Sequence, residues 1–286
     1  MEGSSPRRVA IVTDSTCDIP RELVEQYNIH VVPQILIMGD KTWLDGVDID
    51  SPTFYELLRT SPDFPASSQP HVTSFQDLFV ELAQEADGIA AILVSDELSG
   101  TINSAQVAAA NLPEIPIEII DSRAVSLQLG FIVLAAAQAA ATGADLQTVV
   151  AAAREMMAKV KILFLVDTLE YLHRGGRIGA AARLFGTALK LKPVLEIRDG
   201  IVQPVTRVRT RRKALDKVLD LVAEQLGGAQ GAYMAVLHIA APEEAVQFAE
   251  QLEERFHPVE IISGECGPVL GTHAGPGTVG VAFYTD

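Results

Sequence analysis

"PVLEIRDGIVQPVTRVR", Pro193 to Arg209, is the stretch that decides the fold. Two runs rich in Val and Ile flank Asp199-Gly200, and an Asp-Gly pair between β-prone runs predicts a hairpin. The chain before it reads differently. From "RVAIVTDS" through "HVVPQILIM", "GIAAILVS" and "IEIID", single apolar strands alternate with Ala- and Leu-rich stretches of helical period, the pattern of a parallel α/β sheet. Ser51-Pro52, Ser74 and Pro242 read as helix starts. A hairpin makes its neighbours antiparallel, so "KILFLVD", the hairpin, "AYMAVLHIA", "VEIISGE" and "GTVGVAFYTD" should share a mixed sheet. The expected architecture is α/β in two domains. Residues 1–158 carry a mainly parallel sheet flanked by helices, residues 159–286 carry a mixed sheet, and a ligand lies between or beside them.

Composition excludes several function classes. The 286 residues are 48% apolar, enough for substantial cores. A net charge of -15 argues against nucleic-acid binding, which needs a basic surface. Arg123 and Asp145 bracket 21 uncharged residues, "AVSLQLGFIVLAAAQAAATGA". Its Ser, Gln and many Ala residues fit a buried helix better than a membrane span. "VAIVTDS" is too short for a signal peptide, so a cytoplasmic location is expected, with Cys17 and Cys266 reduced.

Familiar catalytic signatures fail. "GPGTVG", Gly275 to Gly280, has dinucleotide-site spacing but leads into a strand rather than a helix. No phosphate loop or nucleophile elbow occurs, and the scattered histidines lack metal-site spacing. No metal is expected, and Asp45, Asp48 and Asp50 read as turn and cap residues. "IVTDSTCDIP" resembles an aspartyl-phosphate phosphatase start, but Asp14 and Asp18 have the wrong spacing, and Asp14 with Ser15 and Thr16 reads as a helix cap.

What remains is a set of polar loops at strand ends and helix starts: "TDST", "SSQP", "SDELSGT", "RGGRIG" and "THAGPG". The carboxyl ends of parallel strands share one edge, so loops distant in sequence can converge there. Hydroxyls, helix N-termini and a cationic side chain suit an anion.

In this order and spacing, "VTDSTCDIP", "SSQP", "LSGTINSA", "YLHRGGRIG", "RVRTRRKAL" and "HAGPGTVG" resemble the DegV family, the fatty-acid-binding (FakB-type) subunits of bacterial fatty acid kinase. The resemblance implies one long-chain fatty acid such as palmitate, stearate or oleate, with its tail buried and no other cofactor. It implies a carrier rather than an enzyme: a separate ATP-dependent kinase subunit phosphorylates the presented carboxylate to an acyl phosphate that feeds phospholipid synthesis. The implied head-group contacts are Ser67, Ser68, Ser95, Arg177 and His273, and His273 adds positive charge only if protonated. Asp96 departs from the family pattern, because many members have a serine there and a carboxylate would repel the ligand.

Arg207, Arg209 and Arg211, with Arg212 and Lys213 beside them, fit either a solvated strand edge or a docking site for the kinase. No membrane span is expected, and transient membrane contact is compatible with this reading. The competing class is a hydrolase or phosphotransferase using Asp14 or a loop serine, with His273 as base.

Overall fold

The computed structural model describes residues 9–185 and 191–285, so the opening "MEGSSPRR" and the final Asp286 of the expected first and last segments lie outside it. In chain order the elements begin with β1 (Val9–Asp14), a 3-10 turn (Ser15–Cys17), α1 (Arg21–Gln26), β2 (Ile29–Val32), β3 (Ile35–Met38), β4 (Lys41–Leu44) and α2 (Ser51–Thr60). Next come β5 (Ala66–Ser68), α3 (Val72–Leu82), β6 (Gly88–Leu93), α4 (Thr101–Ala110), β7 (Ile117–Asp121), α5 (Leu127–Ala141) and α6 (Leu146–Lys159). The later part holds β8 (Lys161–Leu165), α7 (Glu170–Arg174), a second 3-10 segment (Gly179–Leu184), β9 (Lys192–Arg198), β10 (Ile201–Val208) and α8 (Arg211–Leu226). It closes with β11 (Ala232–Ile239), α9 (Pro242–Phe256), β12 (Glu260–Glu265), α10 (Pro268–Ala274) and β13 (Thr278–Thr285).

The first half builds a parallel sheet in the order β2-β1-β6-β7. The second builds a mixed sheet, β10-β9-β8-β13-β11-β12, in which only β11 and β12 run parallel. A small antiparallel sheet, β4-β3-β5, lies apart from both. "HVVPQILIM" is therefore two strands in two sheets. Pro33 has no N–H to give a ladder, and the chain leaves β2 there to begin β3.

Helix α5 lies between the two large sheets. It carries no charge, and 10 of its 15 residues are buried. A helix apolar all round can be stable only when covered on every side. One continuous core accordingly runs from Ile11, Ala90 and Ile92 of the parallel sheet, through Leu129, Ile132 and Val133 of α5, to Phe164, Leu237 and Ala282 of the mixed sheet. Phe75, Phe79 and Ala105 of α3 and α4 cover the outer face of the parallel sheet. Val218, Val222 and Phe248 of α8 and α9 cover the far face of the mixed one. No described helix is long and apolar enough to cross a membrane.

The predicted hairpin forms between β9 and β10, with Asp199 at φ 56° and Gly200 at φ 81°. Two consecutive positive φ values are the signature of a tight turn matched to strand twist. This turn reaches the parallel half. The Ser95 hydroxyl donates to the Gly200 carbonyl at 2.8 Å, and Arg123 donates to the Asp199 carbonyl. A Cβ built on Gly200 would come within 2.5 Å of Ser95 Oγ. Gly200→Ala is therefore expected to cost about 2 kcal/mol from backbone strain and displacement of the turn. Ser95→Ala should cost roughly 1–2 kcal/mol by leaving that carbonyl unpaired. Urea denaturation measures both, and two unperturbed variants would show that the turn does not tie the halves together.

Candidate functional site

In the parallel sheet the strand order reverses between β1 and β6, so the loops after these strands diverge and leave a crevice. Asp14, at the end of β1 and fully buried, spans that crevice. Its carboxylate accepts from the Val94 N–H at 2.8 Å, the Thr16 N–H at 3.1 Å, the Thr16 hydroxyl at 2.6 Å and Gln34 Nε2 at 3.0 Å. The capping role expected for Asp14 holds. With its acceptors engaged and no solvent access, Asp14 is not placed to attack a substrate. Gln34 also donates to Thr101 Oγ1 at 2.8 Å, and the Ser99 hydroxyl lies 2.8 Å from the same oxygen.

Beyond this crevice, between the two large sheets, lies a cavity of about 210 Å³. Val94, Leu98 and Val125 wall it from the first half, Ile162, Phe164, Leu237 and Ile239 from the mixed sheet, and Val269 and Leu270 from α10. Ser67, Ser68, Gln69, Ser99, Arg177 and His273 supply polar lining. Ser67 lies on β5, paired with Leu36 of β3, and its Oγ is 2.7 Å from His273 Nε2. Arg177 follows α7, where its Nε donates to the Leu98 carbonyl at 3.1 Å and its Nη1 to the Gly175 carbonyl at 2.6 Å. Ser68 is exposed at the rim, its hydroxyl 3.4 Å from the Gln69 carbonyl.

Burial first, and the nearby Arg177 charge second, push His273 down to about 4. The condition under which His273 would add positive charge is therefore not met: the ring is neutral near pH 7. Its Nδ1 is buried without a hydrogen-bond partner. A proton there would be a stranded donor, so the neutral tautomer carries its proton on Nε2 and donates to Ser67 Oγ. That leaves the Ser67 O–H free to point into the cavity. Gly175 permits this packing, since a Cβ there would fall 2.3 Å from Nδ1.

Two other expected site residues are engaged by the scaffold. Ser95 is fully buried, does not line the cavity, and gives its hydroxyl to the hairpin turn. Arg211 is not a free docking residue: it pairs with Glu244 and with Asp167 at 2.7 Å, and donates to the Gly277 carbonyl. Arg207 and Arg209 are exposed on and just after β10, the edge strand. Asp96 is exposed, with its N–H donating to Asp121 Oδ1 at 3.2 Å, and it lies outside the cavity lining. Asp48 and Asp50 are turn and cap residues as expected, accepting from the Leu44 and Thr53 N–H groups.

Asp45 differs from its two neighbours. It is buried, accepts from the Ser15 hydroxyl at 2.7 Å, and receives a long 3.4 Å bond from the Val269 N–H in the first turn of α10. Asp18 holds the residue before that helix: it accepts from the Gly267 N–H at 2.9 Å and from the Ser126 hydroxyl at 2.6 Å. Two carboxylates from the first half thus fix the start of the helix that carries His273, where the helix dipole favours negative charge. Burial raises Asp18 to about 7 and Asp45 to about 6. No group of metal-binding side chains occurs among the described residues.

The chain matches the DegV family, described as "Uncharacterised protein, DegV family", over residues 8–286. It is 39% identical over 277 residues to a DegV domain-containing protein of Streptomyces coelicolor, covering 96% of this chain and 98% of that one. This chain belongs to the DegV family. Two solved DegV structures superpose closely. A Thermus thermophilus family member, reported for its fatty acid binding, gives a TM-score of 0.92 at 32% identity, covering 98% of this chain and 100% of the other. Bacillus subtilis DegV, described as a fatty acid binding protein, gives 0.91 at 32% identity, with the same coverage. The α/β architecture and the mixed second sheet are those of the DegV fold.

In this DegV chain the buried carboxylates set a sign for stability against pH. A raised folded pKa means that the native state keeps the Asp18 proton while the unfolded chain, near 3.8, has lost it. Stability from this group is full below the unfolded value and is lost as pH rises to about 7. His273, lowered in the fold, acts in the opposite sense between about 4 and its ordinary 6.5. Asp18→Asn keeps the shape of the neutral acid and isolates the Asp18 contribution. Melting temperatures across this range are expected to show the variant gaining on the parent as pH rises, and a constant difference would remove Asp18 as a titrating group.

Proposed function

We propose that this protein binds one long-chain fatty acid in the cavity between the sheets and presents its carboxylate to a separate ATP-dependent kinase. The observation that carries this reading is one cavity walled by apolar side chains and furnished with the Ser67–His273 pair and Arg177. Burying hydrocarbon contributes ~0.8 kcal/mol per methylene, so the tail supplies most of the affinity and the polar groups decide which end is presented. Arg177 provides the positive charge. Ser67, directed by neutral His273, donates a hydrogen bond to a carboxylate oxygen, leaving the other oxygen for phosphoryl transfer. The family relatives described as fatty-acid-binding support the ligand class.

A Ser–His pair at this distance also invites a hydrolase reading. A nucleophile needs a base of suitable pKa, held by a third group on the far ring nitrogen. His273 is a weak base, and its Nδ1 has no such partner. The carrier reading is favoured for that reason. Exposed Arg207 and Arg209 then fit the acidic or phosphate-bearing surface of a kinase complex. An acidic chain with free, buried Cys17 and Cys266 suits a reducing cytoplasm.

Solvent extraction and mass spectrometry of purified protein should recover close to one fatty acid per chain. Ser67→Ala and Arg177→Ala are expected to fold, and each to weaken ligand retention or phosphorylation about ten-fold. Arg207→Glu combined with Arg209→Glu should leave bound lipid unchanged while lowering kinase turnover. Empty protein that hydrolyses acyl or phosphate esters would overturn the proposal.

A further inference from the structure

The cavity has a neighbour. A second hollow of about 460 Å³ lies against α5, α6 and the paired strands β8 and β9, and its lining includes Ile132, Met157 and Val160. The two spaces share two lining residues, Ile162 and Ile197. Both are buried, at 3% and 6% exposure, and belong to the core that includes α5. Antiparallel pairing of Leu163 with Glu196 brings the next positions, Ile162 and Ile197, side by side on β8 and β9. β-Branched side chains on paired strands have restricted χ1, so they form a fixed wall rather than a swinging lid.

We propose that Ile162 and Ile197 are the partition that sets the longest acyl chain this protein takes. The inference rests on the fatty-acid reading above and specifies its substrate range. On the near side, Phe164 and Leu237 continue the apolar wall. On the far side, Ile132, Met157 and Val160 offer more apolar surface, and Arg123, Lys161, Glu196 and Arg198 bring charge into the same lining. Hydrocarbon gains against the apolar part of that lining and gains nothing among its charges. Removing the wall therefore adds a bounded length.

The test loads the full-length protein with an equimolar mixture of saturated fatty acids of graded length and reads the bound distribution by mass spectrometry. Ile162→Ala and Ile197→Ala each remove about three carbons from the wall. Each should move the distribution roughly two to three carbons longer, gaining about four-fold in relative affinity per added methylene. Ile162→Phe should move it shorter. Ile162→Val and Ile197→Val carry only a small stability cost, cover the case in which an alanine variant fails to fold, and should shift the preference by about one carbon. Ser67→Ala should reduce retention without changing the length profile. Stoichiometric binding with an unchanged profile in folded variants at both positions would overturn the partition. A parent protein that takes up no fatty acid would instead overturn the reading on which it rests.

Discussion

The structure depends on burying one uncharged helix from both sides. α5 has no polar face to turn toward water, and its hydrophobic surface exceeds what one sheet can cover. The parallel sheet takes one side and the mixed sheet the other, which fuses two sheet systems into one core. This arrangement also positions the cavity. With the sheets held a helix diameter apart, the space beside the start of α5 is closed by loops from one sheet and strand side chains from the other. Val125 and Ser126, just before the helix, line it.

Much of this was legible in sequence because its signals are local. The Asp199-Gly200 turn, the runs that become β1, β6 and β7 and the absence of charge from 124 to 144 each depend on neighbouring residues, and each appears in the fold, whereas "HVVPQILIM" splits at Pro33. The failures share a different cause. β5 is only "ASS", with no apolar alternation to announce it, yet it places Ser67 opposite His273. Ser95 is a ligand contact implied by the family resemblance, at a strand end where converging loops are expected. Its hydroxyl is taken by a carbonyl 105 positions away, a partner that no local pattern reveals. Gln34 and Ser126 also line the cavity and carried no signal beyond polarity. Ser126 adopts φ 56° and ψ -148°, an unusual conformation for serine.

The polar site manages charge by separating roles. Arg177 supplies the cation, and its field together with burial keeps His273 neutral. A neutral imidazole can fix the direction of the Ser67 hydroxyl without adding a second positive charge. On the proposed reading, a bound carboxylate then keeps an accessible oxygen rather than being locked between two cations.

The same separation of roles explains three aspartates, Asp14 and Asp45 buried and Asp18 half-buried, close to the proposed head-group site. Asp14 spends its acceptors tying β1 to the loop after β6, while Asp18 and Asp45 spend theirs on α10 and the residue preceding it. Each carboxylate is turned toward donors of the scaffold. Their repulsion toward a ligand carboxylate is reduced by those hydrogen bonds and, for Asp18 and Asp45, by raised proton affinity. Helix α10 is thus anchored at its start by the first half of the chain, while His273 near its end contacts Ser67 of that same half. Arg177 is bonded to Leu98 of the first half as well. The proposed head-group site is therefore assembled from segments far apart in sequence, with polar groups held across both halves and an apolar wall that includes β8, β9 and β11 of the second half.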